Sequence, residues 1–138
     1  MNQDSAEPLI APELHIVDGE GRRRLSLSAV SGSPSIQMFT AEGRPSFAVS
    51  LDAAGRAALR LGNADDSGPT AVLEVVETGT HVKFVRPEGG ASYLFLNNAG
   101  GSGVVLIDSK GTRRLVALAP ADGSVKIEKY DAEGKVIP

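Results

Sequence analysis

The chain has no cysteine, no tryptophan and only two histidines, and aromatic residues make up 4% of its 138 positions. Without cysteine there are no disulfide staples, no thiolate zinc sites and no cysteine nucleophiles. His15 and His81 stand far apart in the sequence with no carboxylates at ligand spacing. They read as surface strand residues, and no metal site is expected. So few aromatics leave little for stacking on sugars or bases, with Tyr93 and Tyr130 the two to test.

Charge of one sign is also missing. Seventeen acidic and fourteen basic residues are scattered along the chain, for a net charge of −3. That excludes the concentrated basic face a nucleic acid requires. The small basic clusters, Arg22 to Arg24 and Arg113 with Arg114, follow glycines and read as solvated strand starts. No apolar run approaches the roughly 18 residues of a membrane span. The stretch 1–13 lacks the basic start and apolar stretch of a secretory signal, and with Pro8 and Pro12 it reads as a flexible leader or arm. A cytoplasmic protein, or part of a phage or extracellular particle, is the expectation.

Catalytic signatures are absent too. Gly100-Gly101-Ser102-Gly103 approaches a nucleophile elbow but has Val104 where glycine is required. Ser109-Lys110-Gly111-Thr112 reverses the Gly-Lys order of a phosphate loop. The sequence predicts no catalytic residue, no cofactor and no enzyme.

What the chain does have is glycine at a regular step. Eleven of its sixteen glycines, from Gly21 to Gly134, recur every ten to thirteen residues. Such a step holds one strand of six or seven residues and one tight turn. Between glycines the residues alternate, as in Leu25, Leu27 and Ala29 against Arg24, Ser26 and Ser28. Period two is the mark of a half-buried strand, and no window carries the 3.6 period of a helix. The fold class is therefore all-β.

Two kinds of turn alternate. At Asp18 to Arg22, Thr40 to Arg44, Asp108 to Thr112 and Asp131 to Lys135, an Asp or Thr opens a turn that glycine closes. This is the chemistry of a type I turn with a bulge, and it makes hairpins. Looser turns fall near Gly32, Asp52 to Gly55, Gly79, Ala99 to Gly103 and Gly123. The pattern predicts a 22–23-residue hairpin repeat and twelve strands, at 14–18, 22–30, 35–40, 45–51, 56–62, 70–77, 81–86, 91–97, 104–108, 113–119, 124–130 and 135–137. Residues 14–138 form one antiparallel meander, with a parallel solenoid or a sandwich as the alternatives.

A thin ribbon of strands leaves an apolar face wet unless it closes, folds over or meets copies of itself. With few large side chains, a core shared among copies fills better than a twelve-stranded barrel interior. The middle strands are apolar on both faces. The sequence thus predicts a homo-oligomer, a trimer by preference, that buries Leu73, Val75, Tyr93, Leu94, Phe95, Leu96, Val105, Leu106, Ile107, Val116 and Leu118. Another protein on the central strands is a further expected partner.

The unit Tyr130-Asp131-Ala132-Glu133-Gly134-Lys135-Val136, echoed by Met38 to Arg44, resembles the hairpin repeats of bacterial proteins built on strand, Asp-x-x-Gly-Lys/Arg, strand. The YD-type repeats of surface proteins and toxins and segments of phage tail fibres share that turn. The resemblance implies an elongated, often oligomeric scaffold with no catalytic residues to carry over. A structural role as fibre segment, spacer or docking platform is the expectation, and a monomeric barrel or sandwich holding a small apolar ligand the alternative.

Overall fold

A computed structural model describes residues 9–30, 32–63 and 65–138. Among these residues there is no helix, and twelve strands form one sheet in chain order. They are β1 (Glu13–Val17), β2 (Arg23–Ser28), β3 (Ser35–Phe39), β4 (Pro45–Leu51), β5 (Ala57–Leu61) and β6 (Thr70–Val76), followed by β7 (Gly79–Val85), β8 (Ala91–Asn97), β9 (Ser102–Ile107), β10 (Arg113–Ala119), β11 (Lys126–Tyr130) and β12 (Val136–Ile137). Every pairing is antiparallel. The parallel solenoid is thereby corrected. Strands touch only their sequence neighbours, so the described residues form neither a closed barrel nor a sandwich.

The turns explain why the chain reverses so regularly. In seven of them the first residue's amide donates to the carbonyl of the fifth, and the fourth residue's amide donates back to the carbonyl of the first. These are 18–22, 40–44, 52–56, 86–90, 97–101, 108–112 and 131–135. At Asp18, Asp52, Asp108 and Asp131 one carboxylate oxygen accepts two further amides, those of the third and fifth residues. The fourth position takes φ near +80°, as at Gly21 and Gly55, where an L side chain is strained. Three of these turns, 52–56, 86–90 and 97–101, lie beyond the four that the sequence assigned to this kind.

Strand limits differ from expectation by two residues or fewer. Shifts of two occur at β2, β7, β9 and β11; β7 begins at Gly79 because Val76 pairs with it and leaves only Glu77–Thr78 as the turn. Of the leader expected over 1–13, residues 1–8 lie outside the described residues. Glu13 is already in β1, and the Ala29 amide donates to the Pro12 carbonyl at 3.0 Å, carrying the ladder one residue further.

Cores are normally built by packing one layer on another, and the described residues form one layer. No described side chain falls below 2% exposure. Phe39, Val105 and Val116 are the buried apolar residues, with Ser26 the buried polar one.

Candidate functional site: two unlike faces of one sheet

Partners across an antiparallel pair point to the same side, as do residues two apart along a strand. The registers therefore divide the side chains between two faces. One carries Leu14 and Ile16, then Leu25 and Leu27, Ile36 and Met38, Phe47 and Val49, Leu59 and Leu61. It continues through Leu73, Val82 and Phe84, Leu94, Val104 and Leu106, Leu115 and Ala117, to Ile127 and Ile137. We call it the apolar face, since polar side chains interrupt it only at points such as Thr80, Ser92, Ser102 and Lys129.

The other face changes character along the sheet. Over β1 to β5 it is polar: Glu13, His15, Ser26, Ser28, Ser35, Gln37, Ser50 and Arg60. Over β7 to β10 it becomes largely apolar and aromatic, with Val85, Tyr93, Phe95, Val105, Ile107, Val116 and Leu118 beside the polar His81, Lys83 and Asn97. It ends charged, at Lys126 and Glu128.

Exposure separates the two faces. Leu94 and Leu96 are each 56% exposed and Phe84 51%, all on the apolar face, whereas Val105 and Val116 opposite are 4%. Among the exposed large apolar residues within strands, all but Val17 and Val136 belong to the apolar face. The mixed face is recessed over the same strands. A hollow of about 720 Å³ opens there, lined by His81, Lys83, Tyr93, Phe95, Asn97 and Ile107 among others. Tyr93 and Phe95 form its aromatic wall, with ring centroids 6.2 Å apart and planes at 43°.

The eleven residues expected at an interface do not share one surface. Leu73, Val75, Leu94, Leu96 and Leu106 lie on the apolar face, and Tyr93, Phe95, Val105, Ile107, Val116 and Leu118 on the mixed one. The list also omits the apolar face of β1 to β5, including Leu14, Ile36, Met38 and Leu61. Following each alternation across the turns, whose lengths set the register, would have found them.

The two histidines share the mixed face but stand on β1 and β7, six strand spacings or roughly 29 Å apart. His15 meets Glu13 at 3.0 Å, and His81 meets Glu74 across the strand pair at 3.0 Å. Among the described residues no three His, Cys, Asp or Glu side chains gather as metal ligands would. Tyr130, one of the two stacking candidates, spends its hydroxyl as a donor to Glu128 at 2.7 Å.

The basic clusters are engaged within the chain. Arg22 pairs with Asp18 and Glu20, Arg23 lies 4.4 Å over the Phe39 ring, and Arg24 donates to the Phe39 carbonyl. Partial burial pushes the Asp18 carboxyl up, but the Arg22 guanidinium and the turn amides outweigh it and hold it at about 2. Asp52 is lowered by the Arg56 amide and guanidinium in the same arrangement. Among the described residues no helix is long and apolar enough to cross a membrane. No protein-family model matches the chain, and no curated protein matches it.

Proposed function

We propose that the chain is a non-enzymatic structural protein that associates with copies of itself through the apolar face, as a trimer around a long axis. One observation carries this reading: an apolar face that crosses all twelve strands and that no second layer covers among the described residues. Its exposed members present on the order of 1,000 Å² of apolar surface, beyond the roughly 300–600 Å² of the largest patch on a typical monomer. Burying it at ~25 cal/mol per Å² is worth on the order of 25 kcal/mol per copy. The loss of translational and rotational freedom opposes this by roughly 4–15 kcal/mol, with side-chain ordering against it as well, and the size of the apolar term supports association.

Three such ribbons meeting around an axis would enclose a narrow core that Val, Leu, Ile and Ala fill. The polar half of the mixed face would then look outward. The product is a rod or spacer whose length follows from the number of strands, a fibre segment or docking platform. Sedimentation equilibrium over a hundredfold dilution tests it. The expected mass is three times the 14.3 kDa of one chain. A mass of two copies would keep the assembly and replace the copy number, and a stable 14.3 kDa species would overturn the reading.

A further inference from the structure

The hollow on the mixed face holds a cation with no counter-ion among the described residues. Lys83 lies among its lining residues, half-buried, paired across the sheet with Val72 on one side and Tyr93 on the other. Along β7 its neighbours on that face are His81 and Val85. Among the described residues its ammonium makes no hydrogen bond and no ion pair. Glu74, the acid this face supplies beside it, is taken on one oxygen by His81 at 3.0 Å and approached on the other by Arg60 at 3.6 Å. An ammonium set among apolar groups is best satisfied by a partner anion.

Besides the polar Thr78, Thr80, His81 and Asn97, the lining has an apolar part. Tyr93, Phe95, Ala91, Ile107 and Val76 offer carbon surface, and the two rings stand side by side as a wall. The volume of about 720 Å³ lies within the roughly 300–1,000 Å³ of small-molecule sites. Two glycines on this face lie where an added side chain has no room. A β-carbon at Gly103 would meet the Phe95 ring, the Leu118 side chain and the Ala117 carbonyl, and one at Gly79 would strike the Leu96 carbonyl and Asn97 Cα.

From this juxtaposition we infer that the hollow binds a small monocarboxylate with a flat apolar body. The carboxylate pairs with Lys83 and the body lies against Tyr93 and Phe95. The site is on the opposite side of the sheet from the self-association surface, so it does not rest on that proposal. Its chemistry also separates it from a lysine that merely covers apolar neighbours with its methylene stem. In that case neutral and anionic ligands would bind alike.

The probes are 2-naphthoate and the neutral 2-naphthalenemethanol, titrated by calorimetry and by NMR on the intact chain. The expected result is that naphthoate binds at least tenfold tighter than the alcohol and shifts the ring signals of Tyr93 and Phe95. Lys83→Gln abolishes that preference, while Lys129→Gln on the opposite face leaves it intact. Equal affinity of the two probes for the unaltered chain, a preference that survives Lys83→Gln, or ring signals that do not move would each overturn the site. The comparison of probes on the unaltered chain needs no variant to fold.

Discussion

Glycine does two different jobs in this sheet, and substitution separates them. At Gly21 an added β-carbon meets nothing within 4 Å, so the only penalty is the left-handed backbone at φ +77°. Gly21→Ala should cost about 1–2 kcal/mol, and Gly21→Asn less, because Asn tolerates that region. Gly79 is pressed against the backbone of Leu96 and Asn97 in the adjoining strand. Gly79→Ala must push β7 from β8 and should cost about 3 kcal/mol or more, as overpacking does. Urea midpoints of the three variants check the order. Acid tests the turn aspartates. Asp18 is held at about 2, below the usual carboxylate value near 3.8, so its ionised form is favoured by folding. Its stabilisation is complete above pH 4 and is lost as pH falls toward 2. Asp52 is lowered in the same direction. The double variant Asp18→Asn, Asp52→Asn keeps the amide-accepting oxygens and removes the charges. It should lower stability at pH 7 and flatten the dependence between pH 4 and 2, which chemical denaturation across that range measures.

At the scale of the strand, the side on which a residue falls matters more than its identity. Leu94 and Phe95 are adjacent and both large and apolar, yet one is 56% exposed on the apolar face and the other faces the hollow. Leu94→Glu places a charge in the proposed contact between copies and should shift the mass toward a single chain. Ala48→Glu, on the polar half of the other face, should leave the mass unchanged. Light scattering on the two variants gives the comparison, and assembly that survives Leu94→Glu would count against the apolar face. The strands themselves were legible in the sequence because turn chemistry is local: Asp or Thr, then glycine, fixes five of the reversals within five residues. The turn at 52–56 was misplaced among the looser kind although Asp52 and Gly55 carry the same signature as Asp18 and Gly21. The turn at 86–90 opens on Arg86 and uses only backbone bonds, so no side chain announces it. The two-sided character of β8 to β10 could be read from composition, but the division of Leu94 from Phe95 could not. Face membership is a property of register across strands, and single strands apolar on both sides do not reveal it. The hollow was further from view, since the site rests on Lys83 making no hydrogen bond or ion pair among the described residues, a matter of placement in space.

For the whole molecule, the topology makes stability a chain of neighbour terms. Each strand touches only the strands before and after it, as in repeat proteins where each unit rests on its neighbours. Removing one complete hairpin unit should therefore shorten the sheet without destroying it. Deleting residues 23–44 joins the turn ending at Arg22 to Pro45, the start of β4. Ile16, which faces Leu25 in the intact chain, would then face Phe47, and Leu14 would face Val49 in place of Leu27. All of these residues belong to the apolar face, and His15 would meet Ala48 on the other, so both faces stay continuous. The expected product is a ten-stranded sheet that still assembles and is shorter by two strand spacings, roughly 10 Å. Small-angle scattering would show the reduced maximum dimension, and circular dichroism a retained β signal. Deleting β2 alone with one turn would instead bring β1 to β3 with the wrong polarity, and that variant should not fold. If the 23–44 deletion unfolds as completely as the single-strand deletion, stability is not carried by neighbours, and a contact between distant strands, within or between copies, must hold the sheet.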